Sequence, residues 1–235
     1  MAAPVTPPVS LVCYDLAGIV VDDEIVERAF AEAIATLGIV SGTEAYTRAM
    51  VRFDRGRGRP PAHVLRELFA TDETTAQAAS LAFDRAFGSA AERFGLAASP
   101  ETLAPFGKIA AVGLRVCPLT TLSRAAAAPL ADLLHRQGTA GELLCADDAP
   151  RGFPWPDLVL TAMLRLGAGD VREVMVVSAT RPGLLAGHRA GAGLVVGVTG
   201  NRNQLPAMRK AGATHIVDDV AALPDLLAAT GAVAS

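Results

Sequence analysis

Lysine is nearly missing from this chain. Of its 21 cationic residues only Lys108 and Lys210 are lysines, so any chemistry that needs an amine has two candidates. Abundant alanine, arginine and glycine point to a GC-rich coding sequence, so arginine in place of lysine is not by itself a functional signal. Cysteine is also scarce. Cys13, Cys117 and Cys145 are odd in number, lack metal-ligand spacing and each lie in an apolar strand-like run, which reads as reduced core cysteines in a cytoplasmic protein. No apolar run approaches the roughly 20 residues of a bilayer span, which excludes a membrane helix. A net charge of -3 over 235 residues gives no basic surface for nucleic acid or anionic lipid. The opening Met-Ala-Ala-Pro-Val-Thr-Pro-Pro-Val has neither a basic start nor an apolar core, and reads as a flexible tail rather than a targeting segment.

What is present is a strong α/β pattern. Ser10-Leu-Val-Cys-Tyr-Asp15 reads as a buried strand that ends in a carboxylate, followed by the Leu-Ala-Gly turn and an acidic helix start at Asp22-Asp23. An amphipathic helix is expected over 23–38, and helices over 43–53, 62–70 and 73–95, with the breaker Asp54-Arg-Gly-Arg-Gly-Arg-Pro-Pro61 between the second and third. A helix at 100–111 precedes a regular alternation. It comprises strands at 114–119, 142–146, 174–177, 193–198 and 215–217 and helices at 123–136, 156–166, 182–190, 204–211 and 220–229. Alternation of this kind argues for a parallel sheet covered on both faces. The helical stretch after strand one argues for an inserted lobe above the carboxyl edge of that sheet, where open α/β folds bind ligands. The expected division is an α/β core of residues 1–20 and 98–235 with a helical cap of residues 21–97.

Asp15-Leu-Ala-Gly-Ile-Val-Val-Asp22 resembles the opening motif of the haloacid dehalogenase (HAD) superfamily. It is most similar to the phosphonatase branch, where alanine, Ala17 here, replaces the second aspartate of the phosphatase motif. Pro154-Trp-Pro-Asp157 before a helix, Ala186-Gly-His-Arg-Ala-Gly191 and the tail from Ala213 to Leu227 extend the resemblance along the chain. It implies a HAD-like Rossmannoid core with an all-helical cap inserted after strand one. It makes Asp15 the nucleophilic or metal-binding aspartate and Thr120 the hydroxyl that binds the transferred group. Ala17, Gly18, Thr121 and Ser178 then belong to the substrate's surroundings.

The same resemblance exposes departures. Where the family has a Lys or Arg before Pro-x-Pro-Asp, this chain has Phe153; Arg151, two residues away, is the candidate stand-in. The two acids expected after the third core strand fall on Ala179 and Gly183. The cap lysine that forms an imine in phosphonatases falls near Pro60, so imine-based C–P cleavage is not supported. Mg²⁺ favours hard oxygen donors, preferably carboxylates. With Asp15 and the Ala17 carbonyl alone, only weak Mg²⁺ binding is expected, and no resident cofactor. Ser178 stands where the metal-free dehalogenases tend to have serine.

The cap retains Arg48, Arg52, Arg55, Arg57 and Arg59, with His63 beyond. Of these, Arg52, Arg55 and Arg57 are the candidates to hold an anionic substrate. Tyr46 and Phe53 suit a core role better than a pocket. Asp147 and Asp148 either replace the missing carboxylates or cap the next segment. Two classes of function follow. One is a Mg²⁺-independent enzyme that uses Asp15 as nucleophile or general acid–base on a small anionic molecule. The other is a catalytically lapsed binding or partner protein. A hydrolase with relocated metal ligands is a third alternative. The expected partner is a small molecule, with a homodimer left open.

Overall fold

The computed structural model describes residues 8–96, 99–139 and 141–230. Most of the expected N-terminal tail (1–7) and the expected cap boundary at 97–98 lie outside the described residues. Five parallel strands form one sheet in the order β2-β1-β3-β4-β5: β1 (Leu11–Asp15), β2 (Arg115–Leu119), β3 (Val174–Ser178), β4 (Leu194–Val198) and β5 (His215–Val217). β1 lies between β2 and β3, with Cys13 opposite Cys117 on one side and Val176 on the other. Every residue of β1 and β3 is buried, as expected for central strands covered on both faces. Chain order reverses beside β1, so its carboxyl end, Asp15, lies at the crevice that such sheets offer to ligands.

Four helices follow β1 before the chain returns to the sheet: α1 (Asp23–Ala35), α2 (Glu44–Arg55), α3 (Pro61–Leu68) and α4 (Glu73–Phe94). Asp22, Thr43 and Asp72 cap three of them by accepting from the amides of Glu24, Tyr46 and Thr75. α1 and α4 pack along a seam in which Ala29, Ala33, Ala79, Ala86 and Ala90 let the helices approach, and Phe30, Phe83 and Phe87 fill the space between. Each such buried phenylalanine contributes roughly 1.5–3 kcal/mol of transfer free energy, so this seam rather than intrinsic propensity holds the cap together. Around the sheet lie α5 (Pro100–Ala111), α6 (Ala128–Arg136), α7 (Asp157–Arg165), α8 (Arg181–Ala190), α9 (Leu205–Lys210) and α10 (Leu223–Ala229). None of the described helices is long and apolar enough to cross a membrane.

Three expectations need correction. The strand at 142–146 is a single bridge, in which Leu144 exchanges hydrogen bonds with Pro118 and Thr120. The chain then turns through a short 3₁₀ segment at 146–148, because the Asp148 side chain takes the Cys145 amide at 2.8 Å. α6 begins at Ala128 rather than 123, with Pro129 in its first turn, where a missing N–H does no harm. α10 begins at Leu223, after a 3₁₀ turn that Asp219 caps.

Candidate active site

Beyond β1 the chain folds into a tight turn in which the amides of Ile19, Val20 and Val21 all point at the Leu16 carbonyl. Gly18 adopts φ +72° there, and a Cβ on it would come within 2.9 Å of the Ala179 Cβ. The turn leaves Asp15 1% exposed at the strand end. Its Oδ2 accepts from the Ser178 and Thr180 hydroxyls, each at 2.9 Å, and its Oδ1 accepts the Ala17 amide at 3.1 Å. Both hydroxyls are themselves oriented. Ser178 Oγ accepts the Thr180 amide at 2.9 Å and Thr180 Oγ1 accepts the Gly183 amide at 3.2 Å, which leaves each hydroxyl hydrogen for Asp15. Burial pushes the Asp15 carboxyl up to about 6, against the lowering effect of these hydrogen bonds, with the Asp23 charge adding to the rise.

Beside the turn that follows Asp15 the cap leaves a chamber of about 40 Å³, which Ala17 lines and Asp15 does not. Ala17, Thr120 and Thr121 line it from the core, and Phe53, Arg57 and Arg59 from the cap. Thr120 Oγ1 accepts the Leu122 amide at 3.2 Å and keeps its own hydrogen to donate. The chamber has room for about three waters, far less than a metabolite needs. Its lid is the loop after α2. Gly58, at φ +77°, rests on Thr180 so closely that a Cβ would lie 2.9 Å from the Thr180 Cβ, and Gly152 gives way to Pro60 in the same manner. The cap loop thus presses on the threonine that anchors Asp15.

Arg57 stands at the chamber wall, over the Phe53 ring, and joins Asp54 at 2.6 Å, Glu27 at 2.7 Å and Asp23 at 3.3 Å. The other candidate arginines are not in the chamber. Arg52 reaches Glu67 and faces a separate groove, and Arg55 opens onto a groove across the lid. Arg151 makes a two-pronged contact with Asp157, both prongs 2.9 Å, and stacks on Trp155. This fork fixes Arg151 on the surface and removes it as a stand-in at the site. Two residues absent from the sequence-based candidates belong to it: Thr180, which holds Asp15, and Arg59, which lines the chamber. Thr180 stands between the strand expected at 174–177 and the helix expected at 182–190, and nothing local showed that its hydroxyl turns back to β1.

No family model matches the chain. Over 77 residues it is 40% identical to the phosphonoacetaldehyde hydrolase of Hahella chejuensis, which covers 32% of this chain and 26% of that one. A phosphonoacetaldehyde hydrolase of Pseudomonas entomophila is 29% identical over 111 residues, 40% of its length. In these two pairings the match spans only about a quarter to two-fifths of the curated relative. The fold extends much further. A hydrolase from Pseudomonas syringae superposes with TM-score 0.77 at 21% identity, over 94% of this chain and 98% of that one. A phosphonoacetaldehyde hydrolase-like protein from Oleispira antarctica gives 0.74 at 23% identity, over 98% and 96%. The chain shares the fold of these hydrolases over nearly its whole length and, over part of it, is similar in sequence to phosphonoacetaldehyde hydrolases.

Against the HAD pattern, the structure explains where the missing charges went. Phe153, at the basic position, is buried with Leu119, Leu144 and Leu158 in the core beneath the sheet. Pro60, near which the resemblance places the cap lysine, packs against Gly152. At Gly183, a Cβ would come 2.3 Å from Ser178 Oγ and 2.7 Å from Asp15 Oδ2, so no acid can stand there while this hydrogen-bond network exists. Asp147 and Asp148 do not replace it. Asp147 accepts the Arg124 amide, and Asp148 is held by Arg124 at 2.6 Å and Arg165 at 2.9 Å. They cap and crosslink the neighbouring segments.

A divalent metal does not fit this donor set. Asp15 Oδ2 is taken by two hydroxyls, and the described residues contain no group of three or more His, Cys, Asp or Glu side chains placed to hold an ion. Asp15 Oδ1 and the Ala17 carbonyl leave one charge for an ion that favours several hard, anionic donors. Since a ligand stabilises by RT ln(1 + [L]/Kd), which is negligible well below its Kd, about 10 mM MgCl₂ is expected to leave the melting temperature where EDTA leaves it. A rise of several degrees in a thermal melt would show an ion at Asp15.

Proposed function

We propose that this HAD-fold chain is an enzyme that works without Mg²⁺, with Asp15 as general acid–base on a small anionic substrate enclosed by the cap. The observation that carries this reading is the Asp15 carboxyl itself. It is sealed from water, fixed by two oriented hydroxyls and an amide, and raised by burial to about 6, where it can both give and take a proton near neutrality. Oδ1, which among the described residues accepts from the Ala17 amide alone, keeps a lone pair for the reacting proton. Thr120 and Thr121 offer hydroxyls, and Arg57 a cation, to an anion in the chamber. Phosphoryl transfer assisted by a metal finds no support in this donor set.

The chamber is too small for a substrate with the lid down, so entry requires the 56–60 loop to lift from Thr180 and Gly152. Lifting also loosens Thr180 and exposes Asp15, which then recovers its charge more readily; closure around a substrate restores the raised value. Loop closure of this kind both excludes water and assembles the site.

The test is a panel of small 2-substituted carboxylates, phosphonates and phosphate esters assayed in EDTA, with wild type beside Asp15→Asn. Turnover that survives EDTA and disappears in the variant supports the proposal. Turnover that needs Mg²⁺, or that Asp15→Asn leaves intact, overturns it. A second reading, a non-catalytic descendant, draws on the double occupation of Oδ2 and the absorption of Phe153 into the core. It expects no turnover on any member of the panel.

A further inference from the structure

The cap carries on its own surface a groove of about 620 Å³ along α2, bounded by the last turn of α3. All of its lining residues fall between 47 and 68, so the core contributes nothing to it and it is not the cleft between cap and sheet. Arg48, Arg52 and Arg55 stand along it at i, i+4 and i+7, one exposed stripe of α2 about 10 Å long. The opposite face of the helix is committed to the interior, where Ala49 and Phe53 are buried. Val51, 46% exposed, stands among the arginines, and Leu68 lines the α3 side.

The charges of this groove do not balance. Arg59 adds a fourth cation at the end that meets the lid loop, and Glu67 is the single acid of the lining. Glu67 is shared by Arg59 and by Arg52, the latter at 3.4 Å, and cancels the charge of only one of them. Arg48 pairs with Glu44 one turn back, both side chains largely exposed. Among the described residues Arg55 forms no ion pair. Exposed pairs of this kind contribute little and exchange readily for a better partner. Two acids thus answer four guanidiniums, on a protein whose net charge is -3.

We propose that this groove docks an acidic amphipathic helix of a partner protein. Glutamates at i, i+4 and i+7 of such a helix repeat the spacing of Arg48, Arg52 and Arg55 and take their guanidiniums in two-pronged pairs. Its apolar residues cover Val51 and Leu68, the usual division of labour when a helix lies in a groove. A bilayer surface fits less well, because the groove is concave and Val51 is the one strongly exposed large apolar residue of its lining. Glu67 likewise sets a carboxylate where a nucleic acid would bring phosphate. Asp15, Thr120 and Thr180 are not among the lining residues, so the proposal is independent of the chemistry at Asp15.

The experiment is fluorescence anisotropy with a labelled peptide of about 14 residues, four helical turns, built of glutamate, leucine and alanine with the acids along one face. The full chain is titrated into it at low ionic strength. Binding is expected, and it weakens as salt is added. Arg48→Glu combined with Arg52→Glu is expected to weaken it about tenfold or more, with circular dichroism to check the fold. If charge reversal unfolds the chain, Arg48→Gln with Arg52→Gln reads the same loss. Binding by Asp15→Asn is expected to match wild type. No binding up to about 1 mM peptide overturns the proposal, as does loss in Asp15→Asn. So does equal binding of a peptide with lysine in place of glutamate, of one with proline at its centre, or of the acidic peptide by the double variant. Retention on phosphatidylserine vesicles that exceeds peptide binding and is lost in the double variant would assign the stripe to a membrane instead. A dimer of the chain alone in sedimentation, abolished in the same variant, would assign it to a second copy and equally overturns the proposal.

Discussion

Asp15→Asn is expected to stabilise the protein above pH 6 and to lose that advantage in acid. The folded carboxyl titrates near 6 and an ordinary aspartate at 3.8. The native state therefore holds this proton more tightly than the unfolded chain. Between those two values stability falls as pH rises, and above the folded value the loss is complete. At 1.36 kcal/mol per unit the loss amounts to roughly 3 kcal/mol for so buried a group. Asparagine carries no charge to desolvate. It must, however, turn its oxygen towards the Ser178 and Thr180 hydroxyls, which sets its NH₂ against the Ala17 amide and forfeits one hydrogen bond, a cost of about 1–2 kcal/mol. The variant should thus gain roughly 1–2 kcal/mol over wild type at pH 8 and fall below it near pH 4. Urea denaturation at the two pH values measures this. A difference between the proteins that does not change with pH would show that Asp15 is not held at a raised value. A gain at pH 8 would mark a carboxylate kept at the expense of the fold, as functional groups often are, whereas a turn cap would be missed when removed.

The second large effect is expected at Gly183. Elsewhere in this protein an alanine in a helix should help. At Gly88 in α4 a Cβ meets nothing within 4 Å, and Gly88→Ala should stabilise by about 0.5–1 kcal/mol through helix propensity. At Gly183 the same methyl would press on Ser178 Oγ at 2.3 Å, Asp15 Oδ2 at 2.7 Å and Ser178 Cβ at 2.9 Å. Ser178 is fully buried in β3 and cannot retreat. Overpacking of this kind costs about 1–3 kcal/mol, more than propensity returns, and displacement of the Ser178 hydroxyl removes a partner of Asp15 as well. Opposite signs for the two substitutions in chemical denaturation are the expected result; stabilisation by both would mean that the Ser178–Asp15 contact is looser than described.

Much of this was legible in the chain. Periodicity located all five described strands and added one, near Leu144, that is only a bridge, and the capping residues Asp22 and Thr43 stood where helices begin. The edge strand was over-read because an apolar run, Leu143-Leu-Cys, looks the same whether its amides meet a strand or the Asp148 side chain. At the site, Asp15, Ala17, Gly18, Thr120 and Thr121 converge because one sheet edge carries them all. The arginines were harder. Arg52 and Arg59 find a common partner in Glu67, a helix away, and Arg151 finds Asp157, so their charges are spent on contacts that no local pattern announces. Thr180 escaped as well: it caps α8 and also donates to Asp15, and no local pattern announces a bond to a strand 165 residues earlier.

The burial of Phe153 among Leu119, Leu144 and Leu158 has a bearing on how this protein can change. A lysine restored at that position would have to bury its charge or leave a hole of phenylalanine size. An acid restored at Gly183 would collide with Ser178 before any ion arrived to reward it. Either change made alone is therefore expected to destabilise the fold while the packing around Phe153 and the hydrogen bonds around Ser178 stand.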